Sequence, residues 1–229
     1  MNENVNRNVV RNAPRSNSNA PRPSRRARPL PQQLRALQGS QISADRLVET
    51  LTANRGGRLV MLIGLPASGK STISEAFEAA GWLRLNKDSL RKELYGDESI
   101  LGDGRAVSRL FYSRLEEGMK AGRNILVDNT NVSPLHRKGP LAMAAEHGYP
   151  VALHVFLDVP VEECMRRNAL RDRKVPEVAF RELAAALAWP GGIPTRREGQ
   201  LIVLNPGDSR SMFLLKRVRL HGRRRVKPE

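Results

Sequence analysis

The chain has a single cysteine, Cys164, among its 229 residues. One thiol cannot close an internal disulfide or build a structural zinc site, which points to a reducing compartment and an inert, buried side chain. The four histidines, His136, His147, His154 and His221, show no metal-ligand spacing. Aromatic residues make up 4% of the sequence, too few for a row of base-stacking platforms, so sequence-specific reading of a strand is not expected. Trp189 in "AWPGG" has two readings, a core residue or a surface on which a base could stack. No apolar run approaches the ~18 residues a membrane helix needs. The first residues lack the apolar segment of a secretory signal, and their prolines oppose the amphipathic helix of a mitochondrial presequence. A cytoplasmic protein with no membrane partner is the resulting expectation; subunit number is open, and a homo-oligomer is allowed.

Acidic charge is also scarce, leaving a net +16, but its location matters. Residues 1–31 hold seven Arg and one Glu, and residues 216–229 hold seven Lys or Arg and one Glu, so each end carries +6 and residues 32–215 only +4. The polyanion signal therefore sits in the tails, and the body is only mildly basic. Residues 1–31 are rich in Asn, Arg, Pro and Ser and have too few apolar anchors to offset the entropy of ordering. The sequence is divided into a disordered basic tail (1–40), a lead-in helix (41–57), a catalytic domain (58–205) and a basic C-terminal extension (206–229).

Within the body, apolar runs alternate with helical patterns. "RLVMLIG" (58–64), "WLRLN" (82–86), "NILVD" (124–128), "PVALHVFLD" (150–158) and "QLIVLN" (200–205) read as strands buried on both faces. Amphipathic stretches separate them, the longest being "AVSRLFYSRLEEGMKAG" (106–122). This alternation predicts an α/β fold with a parallel sheet of about five strands and helices on both faces.

Between the first strand and its helix stands "GLPASGKST" (64–72), in which Gly64, Gly69, Lys70 and Ser71 fill G-x-x-x-x-G-K-[ST]. Glycines let backbone N–H groups approach an anion, and a helix opening at Lys70 adds its positive end. The stretch Gly64, Leu65, Pro66, Ala67, Ser68, Gly69, Lys70, Ser71 and Thr72 is thus a triphosphate cradle, with Lys70 on the β- and γ-phosphates and Ser71 on Mg²⁺. Guanine recognition would need N-K-x-D, and "LNKDSL" (85–90) lacks the spacer. A motor would need long coupling elements, and none is visible. Transfer to a bound hydroxyl is the better class.

Such a transfer needs a base beside the acceptor. Asp88 directly follows the second strand, on the side of the sheet where ligands bind in parallel α/β folds, and Arg91 one turn later could hold an anionic part of the acceptor. Asp88 could equally be the N-cap of its helix, and the two roles can coexist. Asp128, Asn129, Thr130 and Asn131 end the third strand; the acid could hold Mg²⁺ or orient Ser71, or the four could form an ordinary polar turn. In "MRRNALRDRKVP" (165–176), Arg167, Arg171 and Lys174 at i, i+4 and i+7 would share one face of a helical lid ended by Pro176, or a solvated basic face.

In order and spacing, "GLPASGKST", "LNKDSLR", "VDNTNVSP" and "RRNALRDRKVP" resemble the kinase domain of the polynucleotide 5′-hydroxyl kinase family, within the AAA-type and zeta-toxin-like P-loop superfamily. The resemblance runs from about Arg58 to Asn205. It implies that ATP and Mg²⁺ are held by Lys70 and Ser71, that Asp88 is the general base on the 5′-hydroxyl of DNA or RNA, and that Arg91 contacts a phosphate of the acceptor strand. It further implies that Arg171 is the lid arginine on the donor phosphates with Arg167 beside it, that Asp128 and Asn129 occupy the place of the family's acid, and that Glu198 and Gly199 border the adenine. Ala67 stands where the family commonly has glycine, and no phosphatase motif D-x-D-x-[TV] accompanies the domain. Two other readings remain: a small-molecule kinase of the same architecture, and a nucleic-acid-binding protein whose nucleotide site is structural.

Overall fold

The structure, a computed structural model, describes residues 32–52, 58–149, 153–209 and 211–219. Residues 1–31 of the expected tail, the end of the lead-in helix (53–57), the start of the fourth strand (150–152) and the last basic residues (220–229) lie outside the described residues. The rest of the 1–40 tail is ordered, with a helical turn at Gln32–Ala36 that buries Leu34 fully, and the lead-in helix starts at Ala44 because Gln41–Ser43 is a strand. Among the described residues no helix is long and apolar enough to cross a membrane.

Seven strands form one sheet in the order β1-β7-β6-β5-β2-β4-β3. Five contiguous members, from β6 to the edge strand β3, are those expected: β2 (Leu59–Ile63), β3 (Leu83–Leu85), β4 (Ile125–Val127), β5 (Leu153–Leu157) and β6 (Gln200–Pro206). They are mutually parallel. Two further strands correct the count of about five. β7 (Met212–Arg219), inside the stretch read as a basic extension, pairs antiparallel with β6, and the short β1 (Gln41–Ser43) pairs antiparallel with β7. Both escape sequence reading for a local reason: β1 has three residues, and β7 ends in a mixed basic run, "KRVR".

Helices cover both faces, because alternate residues of each buried strand face opposite ways. Val60 and Leu62 of β2 join one core with α2 (Ala44–Thr52), α3 (Lys70–Ala79), α7 (Val161–Ala169) and α8 (Glu177–Ala188). Leu59 and Met61 join the other with α4 (Lys87–Tyr95), α5 (Gly104–Lys120) and α6 (Pro134–Glu146). A one-turn helix, α1 (Gln32–Ala36), precedes β1. Phe111, Leu115 and Met119 of α5 are buried as its stripe predicts, and Cys164 is fully buried with its thiol pushed up to about 11 by desolvation. Trp189, by contrast, is 74% exposed at the end of α8 and is not a core residue.

Candidate active site

β2 delivers the chain to the phosphate loop. Gly64 N–H donates to the Thr130 carbonyl at 3.1 Å, which ties the loop to the exit of β4. Gly69 opens α3 at φ 101°, a left-handed geometry that glycine takes without strain. Ala67 sits at φ 61°, also left-handed, which is the conformation a glycine there would relieve. Lys70 Nζ donates to the carbonyls of Gly64 at 2.8 Å and Leu65 at 2.7 Å, folding back over its own loop. Burial pushes its ammonium down to about 8, Asp128 opposes this and Arg171 adds to it, so these three groups share one neighbourhood. Leu65 itself is buried in the core, whereas Pro66, Ala67, Ser68, Gly69, Lys70, Ser71 and Thr72 line the cleft.

Asp88 reaches the same cleft. The rival reading of this acid as the helix N-cap does not hold: Asn86 caps α4, its Oδ1 accepting N–H from Asp88 at 2.8 Å and Ser89 at 3.1 Å. The Asp88 carboxylate is left to side chains. Its Oδ1 pairs with Arg91, one turn on, and its Oδ2 lies 3.6 Å from Arg173 Nη1. Arg173 also donates to Glu98 Oε1 at 2.7 Å, so it bridges the loop after α7 to the loop after α4 across the cleft mouth.

Asp128 is 4% exposed, and its Oδ2 accepts from Arg84 Nε at 2.9 Å and pairs with Arg84 Nη2 at 2.8 Å. The neighbouring residues serve the backbone. Asn129 Oδ1 accepts the Lys87 N–H at 3.1 Å, and the buried Asn131 amide donates to the carbonyl of Leu62 at 2.8 Å and those of Val127 and Asn129 at 3.3 Å. Asn131 is therefore a tie between β2 and β4. Asn86 Nδ2 adds another, to the Asp128 carbonyl at 2.6 Å.

The lid differs from a single basic helix. α7 ends at Ala169, so Arg171 and Lys174 leave helical spacing with Arg167 and lie on a loop. That loop is fastened at its base by Asn168, whose amide donates to the Val175 carbonyl at 2.9 Å and accepts the Val175 N–H at 3.0 Å. Arg167 and Arg166 hold Glu163, whose carboxyl they keep down at about 2. Arg171 lines the cleft and makes no ion pair among the described residues.

Glu198 and Gly199 do not line this cleft. Glu198 Oε1 accepts instead from Nε of Arg137 at 2.7 Å, a fully buried side chain that also donates to the carbonyls of Asn131, Gly191 and Gly192. The residues beside the phosphate loop are Pro206, Gly207, Asp208, Met212 and Phe213 of the β6–β7 turn. Arg84 and Arg173 line the cleft and Arg137 and Asn168 brace the chain outside it, four placements the sequence does not announce. Only Asn86, a good cap just before "KDSL", carried a readable signal.

Residues suited to Mg²⁺ are present in part. Ser71 lines the cleft, and Asp128 retains an oxygen that Arg84 does not take. No group of three His, Cys, Asp or Glu capable of holding a metal occurs among the described residues. That donor set fits Mg²⁺, which binds by one or two protein oxygens plus substrate phosphates and not by an all-protein cage.

The chain is 27% identical over 146 residues to a protein of Autographa californica nuclear polyhedrosis virus assigned by name as a bifunctional polynucleotide kinase/RNA ligase. It is 26% identical over 138 residues to the bifunctional polynucleotide phosphatase/kinase of Schizosaccharomyces pombe. Each match takes in 58% of this chain but only 21% and 30% of those longer relatives. Among solved structures, the Pnkp1/Rnl/Hen1 RNA repair complex superposes with a TM-score of 0.52 at 23% identity, over 58% of this chain and 45% of that one. The AvrRxo1-ORF1:-ORF2 complex with ATP gives 0.55 at 17% identity, over 77% and 61%. At these identities the two structures share the fold. Residues 59–190, more than half of the chain, match the AAA domain family, and the protein belongs to that family.

Proposed function

We propose that the chain transfers the γ-phosphate of ATP to the 5′-hydroxyl end of DNA or RNA. The observation that carries this reading is that Asp88, released from capping by Asn86, lines the same cleft as the Lys70 loop. The cleft measures about 1570 Å³, more than the several hundred Å³ one small ligand fills, and so has room for a nucleotide and an acceptor together.

The 5′-oxygen attacks the γ-phosphorus in line, its proton passes to Asp88, and the bond to the β,γ-bridging oxygen breaks to release ADP. Mg²⁺, when bound by Ser71 and Asp128 with the donor phosphates, would supply charge neutralisation. Backbone N–H groups of Ala67 and of Gly69, Lys70 and Ser71 would hold the phosphates, Lys70 would swing from its carbonyls onto the γ-phosphate, and Arg171 would meet charge that develops in transfer. Arg91 would exchange Asp88 for a phosphate of the acceptor strand, leaving the carboxylate free to take the proton. In this reading residues 58–205 are the catalytic unit, and the basic ends add sequence-independent affinity.

The test is label transfer from γ-labelled ATP to a 5′-hydroxyl oligonucleotide, with the 5′-phosphorylated oligonucleotide as control. Transfer only to the hydroxyl strand, lost in Asp88→Asn, is expected. A mononucleotide or sugar accepting far better than any oligonucleotide overturns the assignment in favour of a small-molecule kinase.

A further inference from the structure

We propose that Arg196, Arg217 and Arg219 form a second binding face, separate from the phosphate-loop cleft, that takes the phosphate backbone of a nucleic acid. None of the three lines that cleft.

The face exists because of one extra residue. Val203 pairs with Arg217 but Leu204 with Leu215, so Lys216 bulges from β7. Phe213 and Leu215 point into the core beneath α2, α3, α7 and α8, and unbroken alternation would send Arg217 and Arg219 after them. The bulge reverses the parity. Val218 packs against that core instead, and the two arginines share the opposite face with their pair partners, Val203 and Leu201. The loop between α8 and β6 crosses the same face. Arg219 donates to the carbonyl of Pro194, and Arg196, two residues on, lies close enough to repel the Arg219 guanidinium.

The cluster is uncompensated. Arginines elsewhere, such as Arg84, Arg114, Arg166 and Arg181, each hold a carboxylate. None of Arg196, Arg217 and Arg219 makes an ion pair among the described residues, and they are not among those with unstated partners. Glu198, the acid that acts on Arg219, is occupied by Arg137 and by the Thr195 N–H. Burial and the repulsion of Arg196 and Arg217 push the Arg219 guanidinium below its ordinary value, with Glu198 opposing them.

Unpaired guanidinium groups are good bidentate donors to phosphate. Among the described residues none of them stacks on an aromatic ring, so the contact is to backbone and not to bases, independent of sequence and sensitive to salt. β7 starts at the cleft rim, where Met212 and Phe213 line it, and carries the chain roughly 20 Å away by Arg219, at about 3.3 Å per residue. Residues 220–229 then add Arg223, Arg224, Arg225 and Lys227 to the sequence at that far end. The choice of nucleic acid over an acidic protein rests on the kinase reading, whose substrate would bring a long polyanion to the molecule.

The experiment uses the full chain and a fluorescent, 5′-phosphorylated single-stranded oligonucleotide, which binds but cannot accept phosphate. Arg196 and Arg217 are both exposed, so an Arg196→Gln/Arg217→Gln double variant leaves the core intact. Anisotropy titrations over a range of salt should show weaker binding and a slope of log K against log [salt] shallower by about 1 to 1.5. An Arg196→Lys/Arg217→Lys variant should keep the wild-type slope. Label transfer to a very short 5′-hydroxyl acceptor should be unchanged. Wild-type affinity and slope in the glutamine variant overturn the proposal. So does a glutamine variant that loses polyglutamate binding while keeping the oligonucleotide, which would assign the face to an acidic protein. If no acceptor takes label yet the slope falls as expected, the kinase reading fails and the binding face stands.

Discussion

Asn86 accepts the backbone N–H of Asp88 at 2.8 Å, and this one hydrogen bond gives the helix cap to Asn86 and leaves the Asp88 carboxylate to other partners. The two substitutions should therefore fail differently. Asp88→Asn should lower phosphoryl transfer by a factor on the order of 10² or more with unchanged unfolding. Asn86→Ala should cost about 1 kcal/mol of stability through the lost cap. Parallel measurement of kcat and urea unfolding checks both, and a stability loss in Asp88→Asn equal to that of Asn86→Ala would contradict the division.

Ala67 carries a left-handed backbone at φ 61°. An L-residue there costs roughly 1–2 kcal/mol, partly offset because glycine loses more entropy on folding. Ala67→Gly should stabilise the protein by about 0.5–1 kcal/mol and raise Tm by about 2 °C. A lowered Tm would show that the loop is not strained at this position.

Lys70, held at about 8 by burial against an ordinary 10.5, makes nucleotide binding pH-dependent. Phosphate favours the ammonium, so binding should take up a proton near pH 8, and affinity should fall as pH rises above that value. Calorimetry in buffers of different ionisation heat detects the proton. In the empty protein the sign is opposite for folding: between about 8 and 10.5 the unfolded chain binds more protons, so this lysine's contribution to stability rises with pH across that window. Lys70→Met should abolish both dependences.

Arg137 is fully buried against Glu198 and three carbonyls. Arg137→Met removes the cation and strands the acid, which should cost about 3–5 kcal/mol. Arg114→Ala, which breaks an exposed pair with Glu93, should cost at most about 1 kcal/mol. Denaturant unfolding of the two variants side by side tests whether burial sets the difference.

The parallel strands and the phosphate loop were legible because each is written locally: buried strands as unbroken apolar runs, the anion cradle as glycines at fixed spacing. Asp88 was legible as a candidate but not as a carboxylate outside the cap, since that depends on which of the two polar residues flanking Lys87 takes the cap. The lid was misread where helical spacing was carried past Ala169, because the Asn168 bond to Val175 that turns the chain is a matter of geometry and not of composition. Glu198 was misplaced for a different reason: its partner Arg137 lies 61 residues away, and nothing in either local stretch announces the pair.

Asn168 holds both the N–H and the carbonyl of Val175, so the segment bearing Arg171, Arg173 and Lys174 is a loop closed at its base by one carboxamide and held again through Arg173 on Glu98. Its cations cannot arrive one at a time on a wandering backbone. Much of the entropy of assembling them is spent when the protein folds, before any triphosphate enters, which leaves side-chain rotations as the remaining ordering step at the moment of capture.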